Sequence, residues 1–570
     1  MRETENRTEN SERRGAGEDS VKEILHIACA GGTVEVEPGT RVSEILPRTV
    51  GGFPVLAAMV NNMVVSLETQ FFCDADAAPL TVESPYGAAV CRDTFCFLAA
   101  KAAKELFPDR KFRVHSSIGS ALWCTLGSQT AISKKETDAI AAKLGEYVAK
   151  DLSVSSRLVS YKDAVEILKS IGAIDELHLL EHRNPPAVML NCCEGFYALN
   201  QTPLAARTGL LGPFEMYCGE DGMMLNICNS ESPRKPPELP KRERWMAVYS
   251  QNVAKARLMD VETVGDLNTV IAQNRFPDYV RAVESFQTKN LARIADEICG
   301  RKEKVRLVLL SGPSSAGKTT TADRLCTQLR VNGVRPMHFS TDDYFVGDSR
   351  NPRDENGNFD YETIEAVDCE RLSADLNALF AGGPVRLRKF DFNRHEGRED
   401  GKETVLPPGG VVVLEGIHAL NPALVAGVDD SVKYRIFANA FTQLAVDSCN
   451  RISARDTRLL RRLVRDSNYR GQSALDTLKM WPSVYAGEKK WIYPFQNLAD
   501  AIFNTALDYE LAVLKPFATM LLDGVKPWDA EFAVARRLSG LLHNFSPAPP
   551  DAVPGDSILR ESIGGSQLSY

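Results

Sequence analysis

No stretch of this 570-residue chain approaches the roughly 20 consecutive apolar residues that a membrane-spanning helix needs. Positive charge is not in excess either: 67 Lys and Arg stand against 75 Asp and Glu, a formal net charge of −8. That balance argues against a general nucleic-acid coat or a membrane-surface protein, and leaves room for a local basic site. The 13 cysteines are scattered, with no C-x-x-C pair and no regular spacing. In a chain this long, such usage predicts reduced thiols rather than a disulfide framework. The adjacent Cys192 and Cys193 are expected to be small, half-buried residues and not a redox pair. Residues 1–20 are rich in Glu, Arg, Asn and Ser and lack an apolar core, so a disordered tail is expected there and not a signal peptide. There is no internal repeat. A cytoplasmic protein with no membrane partner is the expectation.

What the chain does have is one sharply spelled loop. The apolar run Val305 to Leu310 breaks at Ser311 into Gly312-Pro-Ser314-Ser315-Ala316-Gly317-Lys318-Thr319-Thr320. The spacing G-x-x-x-x-G-K-[ST] is that of a phosphate-binding P-loop. A buried strand aims the loop. Gly312 and Gly317 let backbone N–H groups turn inward, so that residues 312 and 314–320 form a cradle for phosphate oxygens. The helix beginning near Lys318 offers its N-terminus to the same anion. Lys318 is expected on the β/γ-phosphates, and the Thr319 hydroxyl on Mg²⁺. The chain therefore predicts binding of a nucleoside triphosphate, ATP or GTP.

Further strand ends carry acids. His338 to Phe345 predicts a strand that ends in Asp342-Asp343-Tyr344, and Val411 to Leu414 predicts another that ends in Glu415-Gly416. Strand ends in an open α/β sheet face the ligand crevice. A carboxylate placed there can take the proton from an attacking hydroxyl or hold Mg²⁺. Arg451, Arg455, Arg458, Arg461, Arg462, Arg465 and Arg470 then fall within twenty residues. In an acidic protein with a P-loop they predict a phosphate-clamping lid, because the guanidinium fork pairs phosphate oxygens bidentately. Arg458, Arg462 and Arg465 share one helical face.

Six segments are expected. Residues 1–20 form the tail. Residues 21–84 carry two hairpin-like pairs around a brief helix (Arg41 to Leu46), a β-grasp pattern closed by Leu80 to Glu83. Residues 85–244 form an α+β domain: Phe95 to Leu106, Ala131 to Leu152 and Ser160 to Ser170 are helical, Val188 to Leu199 and Phe214 to Asn226 are strands. The Pro- and Lys/Arg-rich stretch from Glu231 to Arg244 is a loop or linker. Residues 245–300 form a helical connector, residues 301–525 an α/β nucleotide-binding domain with a mostly parallel sheet, and residues 526–570 a C-terminal helix and tail.

Ser311 to about Leu514 resembles the uridine kinases of the uridine kinase/phosphoribulokinase group. The matching segments are Gly312 to Thr319, Ser340-Thr-Asp-Asp-Tyr-Phe345, Asn358-Phe-Asp360, Phe390-Asp-Phe392, Leu414-Glu-Gly-Ile417, Arg461-Arg-Leu-Val-Arg-Asp466 and Tyr469-Arg-Gly471. The resemblance implies a fold, an ATP-dependent activity and roles. Asp342 is the general base for a 5′-hydroxyl. Asp360 holds the ribose hydroxyls, while Phe390, His395 and Tyr344 lie on the nucleoside side. Glu415 helps hold Mg²⁺, with Thr319 and Asp342. Arg462, Arg465 and Arg470 fall on the lid arginines. Three positions depart from the family pattern: Phe390 stands for a tyrosine, Gln472 for an arginine and Met480 for a glutamine.

The whole chain resembles a longer bacterial type, in which the kinase follows a half similar to threonyl-tRNA synthetases. Val21 to Glu83 is similar to a TGS domain. His115-Ser-Ser and Phe196 to Phe214 are similar to the editing domain, and the tail Ser557 to Ser566 also resembles this type. The editing ligands are missing, since Gly119 follows His115 at four residues and Leu199 to Leu204 holds neither Cys nor His. A scaffold that binds RNA, a ligand or a partner subunit is the expectation. The H-x-x-E-H spelling of His178 to His182 has no evident third ligand and is followed by Asn184-Pro-Pro, so a metalloprotease site is not expected. Together these features predict a uridine kinase, with cytidine as a second acceptor, in a homo-oligomer. The alternatives are a kinase of another hydroxylated substrate, such as a sugar phosphate, and an RNA- or ligand-binding regulator with a sensor P-loop.

Overall fold

The structure is a computed structural model that describes residues 24–568 apart from 128–131, 220–221, 240–242, 302–303, 348, 354–356, 358, 392–393, 395 and 443. The tail expected over residues 1–20 lies outside the described residues.

Leu307–Ser311 and Val411–Glu415 are buried at every position, as strands covered on both faces must be. They lie inside a five-stranded, all-parallel sheet in the order Pro336–Ser340, Val411–Glu415, Leu307–Ser311, Lys433–Asn439, Ala501–Asn504. One face is covered by Phe276–Gly300 and Lys318–Val331, through Leu291, Ile294, Leu325 and Leu329. The other packs on Cys369–Phe380 through Leu372, Leu376 and Leu379. Because all five strands run the same way, Ser311, Ser340, Glu415 and Asn439 end along one edge of the sheet.

The arginine-rich segment is a helix, Ala454–Arg470, capped by the Ser453 hydroxyl and stopped by left-handed Gly471 (φ 62°). Its apolar residues Leu459, Leu460, Leu463 and Val464 join a core with Trp481, Leu511, Leu514 and Leu538. That core does not end at residue 244, 300 or 525. It continues without a seam into Leu179, Leu180 and Val188, and into Val264 and Leu267 of the connector helix Val264–Ala272.

Nearer the N-terminus, Leu25–Cys29 pairs antiparallel with Gly32–Val36 and parallel with Ala75–Leu80. Ala57–Val60 and Met63–Val65 turn about Asn61 and Asn62, both at positive φ, and complete the order Gly32–Val36, Leu25–Cys29, Ala75–Leu80, Ala57–Val60, Met63–Val65. The closing strand therefore precedes Leu80 rather than following it. Val188 to Leu199 is two strands, Ala187–Cys193 and Phe196–Leu199, because Glu194 and Gly195 take positive φ and reverse the chain. Among the described residues no helix is long and apolar enough to cross a membrane.

Leu460 is fully buried in the shared core. Leu460→Ala should lower stability by about 2–5 kcal/mol. Denaturant unfolding followed at one tryptophan on each side, Trp123 and Trp481, should show both transitions moving together.

Candidate active site at the sheet edge

The P-loop is closed around its own backbone. A Cβ on Gly312 would meet the Ala438 carbonyl oxygen at 2.1 Å, so the loop can run against the neighbouring strand only with glycine there. Ser315 and Gly317 sit at φ 56° and 76°, and these left-handed turns fold the loop onto the start of the Lys318–Val331 helix. A side chain on Gly317 would strike Ile558 at 2.4 Å, so the C-terminal segment lies directly on the loop. Among the described residues the buried Ser315 hydroxyl has no partner, and Lys318 Nζ donates to the Pro313 carbonyl at 3.2 Å. An orphaned hydroxyl and a lysine resting on a carbonyl fit a loop built to take a phosphate. Ala316 is buried in the loop, and Thr320 in the first turn of the helix.

Acids surround this loop. The Thr319 hydroxyl donates to Glu415 Oε1 at 3.2 Å. Gly416, after Glu415, has no room for a side chain, since its Cβ would lie 1.8 Å from Thr341 Oγ1; this lets the 341–344 turn lie against the strand end. Burial pushes the Asp342 carboxyl up, and Asp343 adds to this, while Lys318, Arg470 and Arg465 pull it down. Burial also raises Glu415; Lys318 opposes that rise and Asp342 reinforces it. Lys318 and Asp342 thus act on Glu415, and Lys318, Arg465 and Arg470 act on Asp342. Thr319, Glu415 and Asp342 form an all-oxygen donor set of the type that suits Mg²⁺.

The seven arginines divide. Arg458 is buried and bidentate on Glu488 at 2.5 and 2.8 Å, and it also donates to the Ser314 carbonyl at 2.9 Å. Arg461 is bidentate on Glu510 and reaches the Ser315 carbonyl at 3.5 Å. Arg455 stacks on Tyr485 at 3.9 Å. The expected single face of phosphate-clamping arginines is corrected for Arg458: this residue fixes the loop from behind. Arg462, Arg465 and Arg470 share one buried carboxylate, Asp466, at 3.0, 3.0 and 3.6 Å. Arg462 also donates to Ser314 Oγ at 2.9 Å. Burial lowers the pKa of Arg462 and of Arg470, and Arg465 adds to both shifts. Arg465 also reaches Glu561 at 3.5 Å, and three guanidiniums on these two carboxylates leave an excess of positive charge beside Asp342.

On the opposite side, Phe345 meets Tyr361 and Phe390 edge-on at 5.6 and 5.7 Å. Asp343 accepts the Phe390 N–H at 3.4 Å and ties the 341–344 turn to this aromatic group. Asp360 lies at its border and accepts the Glu362 N–H at 2.9 Å. Tyr344 is a correction: it is buried in the core, and its hydroxyl donates to Asp375 at 3.1 Å. Phe345 and Phe390 are buried beside it in the same core. His395 lies outside the described residues.

Sequence reasoning missed Glu362, His418 and Glu488. Gly487 brings them into play: its Cβ would lie 2.5 Å from Glu362 Cβ, so the Ala474–Trp491 helix presses directly on this segment. Burial pushes the Glu362 carboxyl up to about 7, with Glu488 reinforcing it and Arg462 and Lys318 opposing. Burial pushes His418 down to about 4, which keeps it neutral. Glu488 lies thirty positions from Arg458, and no local pattern announces the pair. In the N-terminal half, His115 is buried against Thr125 at 2.8 Å. His178 and His182 both meet Thr269 Oγ1 at 2.8 Å, and this bond to the connector helix accounts for them.

A parallel sheet, a P-loop and acids at adjacent strand ends define the P-loop kinase class. The family model of the phosphoribulokinase/uridine kinase family matches residues 307–512. A protein named uridine kinase from Deinococcus deserti is 30% identical over 194 residues, 34% of this chain and 84% of that protein. Another so named, from Lactobacillus helveticus, is 27% identical over 216 residues, 38% of this chain and 93% of that protein. The solved D-glycerate 3-kinase of Cryptococcus neoformans aligns over 47% of this chain and 89% of its own at 14% identity, with a TM-score of 0.21, too slight a likeness to carry an argument. The chain belongs to the phosphoribulokinase/uridine kinase family through its C-terminal half and is a phosphotransferase.

Arg458→Met should destabilise the protein by about 3–5 kcal/mol, since Glu488 is left buried without its counter-charge. Thermal melts of Arg458→Met with Glu488→Leu should recover most of that loss.

Glu362 sets a pH dependence. With a folded value of about 7 against an ordinary 4.5, it stays protonated in the fold while the unfolded chain ionises. Its contribution to stability therefore falls as pH rises from 4.5 to about 7 and is constant above that. Melting temperatures measured across this window should show the advantage of Glu362→Gln over the wild type growing up to neutral pH.

Proposed function

We propose that the protein transfers the γ-phosphoryl group of ATP, or GTP, to the 5′-hydroxyl of a pyrimidine ribonucleoside, uridine first and cytidine second. The observation that carries this is the placement of Asp342. It lies within electrostatic reach of Lys318, Arg465 and Arg470, and its own turn leads into the aromatic group of Phe345, Tyr361 and Phe390. The P-loop N–H groups and Lys318 hold the β- and γ-phosphates. Arg462, Arg465 and Arg470 stabilise the charge that spreads over the transferred group. Asp342, whose pKa burial raises towards that of an effective base, accepts the hydroxyl proton. Asp360 orients the ribose, Phe345 and Phe390 supply apolar faces for the base, and His395 is its polar contact. Mg²⁺, held by Thr319, Glu415 and Asp342, supplies further neutralisation of phosphate charge when bound.

The names of the relatives favour a nucleoside over a sugar phosphate. For the N-terminal half we propose a TGS-like β-grasp unit over residues 21–84 and an editing-like unit over 85–244. The sheet order supports the first. Together they would form a scaffold for RNA, a ligand or a partner subunit in a cytoplasmic homo-oligomer. tRNA binding without phosphotransfer would favour a regulator with a sensor P-loop instead.

A panel of nucleosides and sugar phosphates, followed by ADP release, should show uridine as the preferred acceptor. Asp342→Asn should reduce kcat by about 10²–10⁴-fold and leave the affinity for ATP nearly unchanged. Normal turnover by this variant, or no nucleoside turnover by the wild type, would overturn the proposal.

A further inference from the structure

A cavity of about 80 Å³ shares no lining residue with the P-loop. Its walls come from four parts of the chain, one of them Gln201 and Thr202. Arg92 and Asp93 belong to the helix Pro85–Leu106, Arg451 leads into the arginine helix, and Arg537 lies on Phe532–His543. Five charged side chains line it: Arg92, Arg451 and Arg537 against Asp93 and Asp456.

Both carboxylates are already taken. Asp93 accepts from Arg92 Nε at 2.9 Å and, on its other oxygen, from the Thr202 hydroxyl at 2.9 Å. Asp456 is bidentate with Arg537 at 2.5 and 2.7 Å. Arg451 is left over, with no hydrogen-bond or ion-pair partner for its guanidinium among the described residues. Burial lowers its pKa, and the neighbouring Arg92 lowers it further. Asp93 and Asp456 oppose these shifts. A guanidinium partly withdrawn from water beside another cation, with no hydrogen-bonded counter-charge, gains from an anion that joins it. The N-terminus of the 17-residue arginine helix also opens here, since its cap Ser453 lines the same cavity. The helix dipole favours negative charge at that end.

We infer that this cavity binds a compact oxyanion, a phosphate or carboxylate group of a few heavy atoms, with Arg451 as its main contact. The occupant would join the N-terminal half to the first turn of the helix whose Arg458, Arg461 and Arg462 hold the P-loop. The volume suits a free anion or the acidic group of a small metabolite and not a whole nucleotide.

The test is calorimetric titration of inorganic phosphate into the full chain carrying Lys318→Ala, which removes the lysine from the competing P-loop site. Saturable binding is expected, weakened about tenfold or more when Arg451→Gln is added, because a charge-assisted pair is lost. The melting temperature should not change, since Arg451 holds no protein group. Acetate titrated in parallel separates the sources: an Arg451-dependent signal for phosphate alone assigns a phosphoryl ligand, and one for acetate a carboxylate. Should Arg451→Gln fail to fold, Arg451→Lys keeps the charge and loses the fork, and it too should weaken binding. Equal affinity with and without Arg451, or no saturation by either anion up to about 10 mM, overturns the inference.

Discussion

Two buried ion pairs, Arg458 with Glu488 and Arg461 with Glu510, carry the architecture of the site. A P-loop turns its N–H groups inward, so its carbonyls point away from the ligand and need donors elsewhere. Here those donors are guanidiniums: Arg458 meets the Ser314 carbonyl and Arg461 the Ser315 carbonyl. Burying an arginine is costly unless it is paired and hydrogen-bonded. Each of these has a carboxylate on one side and the loop on the other, and so the loop, the arginine helix and the Ala474–Trp491 helix are fixed as one body.

The charges left over define the chemistry. Lys318 and the trio Arg462, Arg465 and Arg470 face Asp342, Glu415 and Glu362, and burial raises all three carboxyls. Groups so close, withdrawn from water, hold protons that solvated acids would release. A cleft of this kind suits a polyanion on the cationic side and a hydroxyl on the acid side.

The same helix also joins the halves of the protein. Its apolar face shares a core with residues from 164 to 283, its first turn borders the Arg451 cavity, and its last turn meets the C-terminal segment through Arg465 and Glu561 at 3.5 Å. Ile558 on Gly317 completes the enclosure of the loop. The N-terminal half is therefore packed into the framework of the phosphotransfer domain and does not hang from it by a linker.

Local features were legible in the sequence because their causes are local. Gly312 and Gly317 are required by the turns of a P-loop, the Val-rich runs by strands covered on both faces, and Asp342 and Glu415 follow directly from strand ends. The burial of Tyr344 was not legible because a short turn has no periodicity to say which of its residues enter the core, and here both Tyr344 and Phe345 do. The arginine cluster showed only that positive charge gathers there. Which arginines serve the loop was decided by Glu488 and Glu510, 30 and 49 positions away. Arg537, 81 positions from Asp456, takes a carboxylate near Arg451 and leaves that arginine without a partner among the described residues. Charge pairing acts through space and not along the chain, so its outcome appears only when the helices are packed.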